Sequence, residues 1–270
     1  MSFLREIDRN GLYIRHGIDD TPDNKGVAFH IHDLCEVFCF VSGNAEYLVE
    51  GSVYPLERGS LLIMRPGEAH CIRFLSSKSY ERYAVNFPIN LFDSFDPERR
   101  LMRPFTDRPL GKHNLYYLPG LEGTLHKLAY YEGDDYGRTL LFTTKLAEVM
   151  NKLSHHTDRR PTAEPTLSEQ VVRYVNDVLF DDISAEHLAE HFFLSTSQFS
   201  RVFRKATGAA PWAYITAKRL IRARELLQGG ESAKKAAENC GFKDYSVFYK
   251  AYVKRFGEKP SSIGQTAAMT

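Results

Sequence analysis

The fold of this protein is decided by SAEHLAEHFFLSTSQFSRVFRKATGAAP, residues 184–211, which recurs in altered form as SAKKAAENCGFKDYSVFYKAYVKRFGEKP, residues 232–260. The early halves of the two copies align at an offset of 48 residues, and a one-residue insertion raises the offset to 49 in the later halves. Ser184 then corresponds to Ser232, and Gly208 to Gly257. A repeated unit builds the same local structure twice, so this duplication governs the fold.

Each copy is expected to fold as a helix, a tight turn and a second helix. Ser184 and Ser232 are predicted N-caps, because a serine hydroxyl can accept from the unpaired backbone N–H groups of a first helical turn. The second helices are predicted from about Thr196 to Ala206 and from about Tyr245 to Arg255. One further helix, about 25 Å long, is predicted between the copies. It runs from Pro211 to Gln228 with the apolar stripe Trp212, Ile215, Leu220, Ala223 and Leu227.

Two helix-turn-helix units are a geometry for reading DNA, because the major groove admits an α-helix and shows a distinct donor and acceptor pattern for each base pair. A stiff spacer of this length lets one chain reach successive major grooves, which lie about 34 Å apart. Charge agrees: residues 196–259 contain 14 lysines and arginines against 5 acidic residues, whereas the whole chain has a net charge of +1. The competing interpretation is a helical bundle whose basic face binds another protein.

Residues 167–264 resemble the AraC/XylS family of bacterial transcription regulators, particularly in the spacing of LAEHFFLSTSQFSRVFRKATG and of GFKDYSVFYKAYVKRFGEKP. The resemblance implies two helix-turn-helix motifs joined by a linker helix, with a double-stranded DNA operator and RNA polymerase as partners. By position, the expected base-facing residues are Ser197, Gln198, Ser200 and Arg201 in the first motif and Tyr245, Ser246, Tyr249 and Lys250 in the second. Arg204, Lys205 and Lys254 complete the expected DNA contacts. The two tyrosines depart from the glutamine and arginine more frequent in the family.

The length of 270 residues suits two domains of ordinary size. No run approaches the ~20 apolar residues of a transmembrane helix, and the N-terminal residues lack the apolar core of a signal peptide. The four cysteines Cys35, Cys39, Cys71 and Cys240 show no CxxC spacing. Buried thiols in a reducing cytoplasm are therefore expected.

Residues 1–120 alternate between apolar and polar positions, which is typical of strands. Gly43-Asn44 and Glu50-Gly51 are suitable hairpin turns. An antiparallel barrel of the jelly-roll or cupin type is predicted. The expected strands are Leu12–Ile18, Val27–His32, Glu36–Val41, Ala45–Val49, Ser52–Leu56, Ser60–Met64, His70–Leu75 and Tyr80–Phe87.

Two stretches within this region resemble cupin motifs. His30-Ile31-His32, followed by Glu36 and Gly43, matches the first motif, and the stretch from Gly59 to His70 resembles the second. In a metal-binding cupin such residues hold Fe, Mn, Zn or Ni, and imidazole and carboxylate ligands suit those ions. His30, His32, Glu36 and His70 could therefore hold a divalent metal. Phe74 stands where such cupins usually have asparagine.

Two other interpretations of these residues remain open. They could line a pocket for a small-molecule effector together with Arg65, Arg82 and Asn86, since Arg82 and Asn86 share one face of their strand. They could also form a polar cluster that serves structure alone. The alternative function, from a different class, is a cupin-type metalloenzyme with an accessory helical domain.

Residues 121–166 are expected to connect the two domains. Helices are predicted at Leu121–Tyr131 and Tyr136–Leu153, and the second has an apolar stripe. That stripe either packs on the barrel or, as the resemblance implies, pairs with a second copy in a homodimer. The predicted domains are 1–153 and 167–270, with a proline-bearing polar linker over 154–166.

The sequence therefore predicts an α+β protein of two domains. An N-terminal cupin-like barrel followed by helices would bind an effector, a sugar or related small polar metabolite. An all-α C-terminal domain of two helix-turn-helix motifs would bind DNA. The expected protein is a cytoplasmic, ligand-responsive transcription regulator with no required cofactor, and not an enzyme.

Overall fold

A computed structural model describes residues 2–9, 11–24, 29–155 and 166–262 of this chain. It divides into two compact units, Met1–Pro165 and Thr166–Thr270. The first is built on antiparallel sheets and the second is helical, so the predicted two-domain α+β class is confirmed. Most of the predicted linker, residues 156–165, lies outside the described residues.

The strands of the N-terminal unit form two antiparallel sheets, one with the order β1-β2-β8-β3-β6-β9 and one with the order β5-β4-β7. Their bounds are β1 Ser2–Arg9, β2 Leu12–Asp19, β3 Cys35–Ser42, β4 Ala45–Val49, β5 Ser52–Pro55, β6 Ser60–Met64, β7 His70–Phe74, β8 Tyr80–Phe87 and β9 Leu115–Tyr117. The hairpin from β4 to β5 turns at Glu50 and Gly51, which have φ values of 50° and 82°. Two successive positive φ values suit the twist of a tight hairpin.

Each face of the larger sheet is covered. Val37 and Cys39 of β3 belong to a core that includes side chains of the helices after the barrel. Phe38 and Phe40 of the same strand point to the other side, where they pack against residues of the smaller sheet such as Tyr47. This second core lies in the space between the two sheets. We call that space the barrel interior.

One predicted strand is wrong. Among the described residues of the predicted strand Val27–His32, only His30 takes part in a β-bridge, an isolated pairing with His70. Residues 25–28 lie outside the described part of the chain. Strands β1 and β9 were not predicted, because neither stretch alternates between apolar and polar residues.

The N-terminal unit also contains helices: α1 Arg103–Thr106 lies between β8 and β9 in the sequence, and α2 Leu121–Ala129 and α3 Asp135–Ser154 follow β9. The side chains of Phe142, Leu146 and Met150 on α3 are buried in the same core as Val37. The apolar stripe of α3 thus packs on the barrel within one chain, as one of the two expectations had it, and pairing with a second copy stays a prediction. Leu140 on the same helix is 52% exposed.

The C-terminal unit contains α4 Leu167–Asp177, α5 Ala185–Glu190, α6 Thr196–Thr207, α7 Pro211–Gln228, α8 Ala233–Asn239 and α9 Tyr245–Phe256. The duplication is visible in the caps: Ser184 and Ser232 cap α5 and α8 as predicted. Gly208 and Gly257 end α6 and α9 at φ values of 76° and 72°. In the described part of the chain, every helix is too short or too polar to cross a membrane.

Candidate functional site

A polar cluster lies at one end of the barrel interior. Glu36 on β3 is its centre: its Oε2 atom is 2.9 Å from His32 Nε2 and 3.4 Å from His70 Nε2, and it accepts from Asn86 Nδ2 at 3.1 Å. The His30 ring centroid lies 6.0 Å from that of His70, and the two backbones exchange hydrogen bonds. The structure thus brings together five of the predicted effector residues, His30, His32, Glu36, His70 and Asn86, which we call the histidine cluster. Its Glu36, His70 and Asn86 side chains are buried, His32 is half-buried and His30 is exposed.

The protonation of this cluster is set by its own members. Burial opposes ionisation of Glu36, but the charge of His70 and hydrogen bonds from His32 and His70 hold the pKa of that carboxyl well below its ordinary value. Burial lowers and the Glu36 carboxylate raises the pKa of His70, with a net rise. Burial and the neighbouring His70 lower the pKa of His30 to about 4. The cluster therefore holds an ionised Glu36 and a neutral His30 near neutral pH.

The histidine tautomers orient this cluster. Nδ1 of His32 lies 2.9 Å from the carbonyl of Leu34, and Nδ1 of His70 lies 2.8 Å from the carbonyl of Glu68, so both Nδ1 atoms carry a proton. Each Nε2 atom then faces Glu36. It carries a proton if the ring is a charged imidazolium, and it has an open lone pair if the ring is neutral. Open Nε2 lone pairs beside a carboxylate are also the arrangement of a metal site whose histidines are held by backbone carbonyls.

Two separations within the donor set suit a divalent cation. Two ligands bonded to one metal at about 2.1 Å lie about 3.0–3.4 Å apart in octahedral or tetrahedral geometry. His32 Nε2 and His70 Nε2 lie at 2.9 and 3.4 Å from Glu36 Oε2, and the three donor atoms lie within 4.8 Å of one another. His32, Glu36 and His70 are thus the residues that would hold a metal here. His30 is not part of this set.

Arg82 lies on the same face of β8 as Asn86, as predicted, and its charge acts on His30. Arg65 does not lie there, which corrects its predicted place in the pocket. Its Nη1 atom donates to the carbonyl of Arg108 at 3.1 Å, and its backbone N–H donates to Glu68. Arg65 follows the end of β6, where the turn toward β7 carries its side chain to another polar group.

Helix α6 presents most of the predicted DNA contacts. Ser197, Gln198, Arg201, Arg204 and Lys205 are exposed, whereas Ser200 is half-buried rather than outward because it lies beside the buried Phe199. Gln198 also forms a capping box, in which its Oε1 accepts from the backbone N–H and the hydroxyl of Ser195, both at 3.0 Å. Bidentate binding of adenine by Gln198 would therefore require breaking this cap.

Helix α9 presents a second exposed set. Tyr245, Ser246, Lys250 and Lys254 are exposed, and Tyr249 is half-buried. Phe248 faces inward on this helix, since its side chain is 0% exposed, while that of Val247 is 58% exposed.

Helix α7 holds the two motifs of the C-terminal unit together. It begins at Pro211 and buries Ile215, Leu220, Ala223 and Leu227 of the predicted stripe. Trp212, the remaining member of that stripe, is 43% exposed, because the first turn of the helix extends beyond the core. The helix also buries Arg219, whose burial was not predicted from the sequence.

The sequence analysis missed two residues on the face of β2 that adjoins Arg82. Tyr13 and Arg15 alternate with Leu12 and Ile14, which are buried in the core under the helices. The period-two rule places Tyr13 and Arg15 on the opposite face of the strand. That rule, applied to the predicted strand Leu12–Ile18, was the signal that could have found them.

Two family models match this chain, an AraC-like ligand binding domain over residues 15–120 and a helix-turn-helix domain over residues 188–265. The regulatory protein PocR of Salmonella typhimurium strain LT2 is 32% identical over 113 residues, which cover 42% of this chain and 37% of PocR. The HTH-type transcriptional activator RhaS of Citrobacter koseri is 24% identical over 275 residues, which cover 94% of this chain and 98% of RhaS.

Two solved structures resemble parts or all of the chain. The DNA-binding domain of AdpA, a global transcriptional factor in complex with a target DNA, has 25% identity and a TM-score of 0.36, covering 38% of this chain and 93% of that chain. ToxT from Vibrio cholerae O395 has 12% identity and a TM-score of 0.38, covering 97% of this chain and 100% of that chain.

Proposed function

We propose a function for this chain on the basis that it belongs to the AraC family of DNA-binding transcription regulators, with an N-terminal ligand-binding domain. The histidine cluster binds a sugar or related small polar effector, and the bound effector changes the affinity of the protein for an operator. The named relatives are regulators, which confirms the prediction that this chain is not an enzyme. The observation that carries the proposal is the cluster itself: a carboxylate, imidazoles and an amide converge at the end of the barrel interior. Such groups bind hydroxyls by donating and accepting.

The effector acts by differential affinity for two states of the protein. A ligand that binds both states equally shifts nothing, so the effector must bind the DNA-competent state more tightly or more weakly than the other. A divalent metal held by His32, Glu36 and His70 would supply a positive charge for an effector oxygen to bind. We expect the protein to act as a homodimer in the cytoplasm, where its operator and RNA polymerase lie.

A thermal-shift screen tests the proposed effector site. Because a ligand that binds only the folded state raises the melting temperature by mass action, a sugar or small polar acid that binds the cluster should raise the Tm. The shift should be lost in His32→Ala, and repeating the screen after dialysis against EDTA shows whether a metal takes part. The same ligand should change the affinity for an operator selected from random duplexes. A ligand that stabilises His32→Ala as much as the wild type contradicts the assignment.

We further propose that α6 and α9 enter successive major grooves of the operator. The exposed basic residues Arg201, Arg204, Lys205, Lys250 and Lys254 support this, because phosphate contacts need cations on the surface that meets the duplex.

Arg201→Ala is expected to cost about 1–3 kcal/mol at its cognate base pair, because an arginine can grip guanine O6 and N7 with two hydrogen bonds. Kd for the selected operator should rise roughly five- to hundredfold in a titration at fixed salt. The matched control is Arg173→Ala, an exposed arginine on α4 outside both predicted reading helices. The assignment fails if Arg201→Ala binds the operator as tightly as Arg173→Ala.

A further inference from the structure

Two arginines lie near each other on the inner face of the larger sheet, the face toward the barrel interior. Tyr83 and Val85 of β8 lie in the core under the helices, so Arg82 and Ala84 lie on the opposite face of that strand. In the register of β2 with β8, Arg15 lies opposite Ala84 and Gly17 opposite Arg82. Arg15 and Arg82 are therefore diagonal cross-strand neighbours, with Cα atoms about 7–8 Å apart.

These two guanidinium groups are half-buried and act on one another. Burial lowers the pKa of Arg15, with Arg82 adding to the fall and the carboxylates of Glu6 and Glu36 opposing it. Like charges on diagonal cross-strand neighbours repel each other, although less than directly opposed ones do. A negative group placed between them removes that repulsion and uses the planar fork that arginine offers to a carboxylate or a phosphate.

Arg15 already binds a carboxylate. Its Nη2 atom lies 3.2 Å from Glu6 Oε1, and the two side chains are 29% and 46% exposed. An ion pair this exposed contributes little to stability. The contact shows that this guanidinium binds a carboxylate at a partly exposed position.

The histidine cluster lies farther along the same face. In the register of β3 with β8, Glu36 is paired with Asn86, and Phe38 with Ala84. Asn86 and Arg82 lie four residues apart along β8. At 3.3 Å per residue that separation is about 13 Å between Cα atoms. Ala84 lies between them on the same face of the strand and has a small side chain that is 8% exposed. The inner face thus has a cationic end and an end suited to hydroxyl groups.

We propose that the effector is an anionic polyol, whose carboxylate or phosphate group is bound by Arg15 and Arg82 and whose hydroxyl groups are bound by Glu36, Asn86 and His32. This inference rests on the proposed function of the histidine cluster and names the class of its ligand. A sugar acid has both kinds of group, a carboxylate at one end and hydroxyl groups along its chain.

The acidic groups of the site do not oppose this assignment. Glu36 lies at the hydroxyl end, where His32, His70 and Asn86 already bond to its Oε2 atom. Glu6 is bound to Arg15 and accepts a hydrogen bond from the hydroxyl of Tyr13. The anion of the ligand competes with Glu6 for Arg15 and has Arg82 as a second partner.

The test compares matched neutral and anionic probes on the full chain. D-Glucose is measured against D-gluconate, D-glucuronate and D-glucose 6-phosphate, and D-galactose against D-galactonate, by thermal shift and by calorimetric titration. We expect at least one acid or phosphate to bind while its neutral counterpart does not, and the two anionic arms distinguish a carboxylate from a phosphate ligand. The variants Arg82→Gln and Arg15→Gln should each weaken that binding about ten- to a hundredfold, since a hydrogen bond to a charged group is among the strongest single contacts.

Controls separate charge recognition from folding. Arg58→Gln removes one positive charge at a side chain that is 76% exposed and should leave binding unchanged. Arg82→Lys keeps the charge and should retain part of the affinity, and unaltered operator binding by each variant shows that the chain has folded.

Several results would overturn the inference. They are failure of every anionic probe to bind, equal affinity for a sugar and its acid, and unchanged affinity in both glutamine variants. A bound anion that leaves operator affinity unaltered would instead overturn the proposed regulatory function and leave the ligand class standing.

Discussion

Replacement of Arg108 by methionine is expected to destabilise the N-terminal unit by about 3–5 kcal/mol, the usual cost of removing one partner of a buried ion pair. The side chains of Arg108 and Glu68 are 2% and 0% exposed. Arg108 donates to both carboxylate oxygens of Glu68, at 2.7 and 2.6 Å. Methionine fills a similar volume but leaves the Glu68 carboxylate buried without its cation.

The measurement uses the single tryptophan of the chain. Trp212 lies in the C-terminal unit, so unfolding of the N-terminal unit should appear in far-ultraviolet circular dichroism at lower urea concentration while the Trp212 fluorescence transition stays in place. Arg103→Met, at a side chain that is 59% exposed, is the control and should change stability little. The importance of the buried pair would be contradicted if Arg108→Met and Arg103→Met unfolded at the same urea concentration by circular dichroism.

The effect of Arg108→Met should depend on pH. Burial opposes ionisation of Glu68, but hydrogen bonds and charge from Arg108 outweigh it and lower the pKa of that carboxyl. A carboxyl whose folded pKa is lowered contributes stability above its unfolded pKa, and this contribution is lost as the pH falls through the folded value. The gap in unfolding free energy between wild type and Arg108→Met should therefore shrink in acid. A gap that widens below pH 4 would contradict this account.

Arg219→Met is expected to destabilise the C-terminal unit by about 3 kcal/mol, because a charged donor that serves buried acceptors is lost. Arg219 donates to the carbonyls of Leu179 and Asp181, both at 2.8 Å, and of Gly241 at 2.6 Å. The first two precede the first helix-turn-helix motif and the third lies in the turn of the second. One side chain of α7 thus fixes both motifs to the helix that separates them.

Two readouts distinguish this role from simple loss of stability. The Trp212 fluorescence transition should move to lower urea in Arg219→Met, while Arg222→Met, at a side chain that is 51% exposed on the same helix, should leave it in place. Below the unfolding range, Arg219→Met should also discriminate less against an operator with one base pair inserted between its two half-sites. Full discrimination by a folded Arg219→Met would show that Arg219 does not set the spacing of the motifs.

The sequence determined the architecture of the C-terminal unit. Its helices are signalled by local chemistry: serine and aspartate N-caps, glycine at left-handed C-caps and proline at a first turn all act within a few residues. The predicted bounds of α7, Pro211–Gln228, are those of the structure. The duplication made each signal appear twice, so the two motifs and the helix between them could be predicted without knowledge of the tertiary fold.

Only the tertiary structure decided which residues of the barrel meet. Sequence alternation assigns side chains to faces of strands, and it placed Arg82 and Asn86 correctly on one face. It could not show that Arg65 turns away toward Arg108, nor that Arg15 on a strand far away in sequence lies beside Arg82. Those contacts depend on strand order and register, which arise from packing between residues 43 or more positions apart rather than from local sequence.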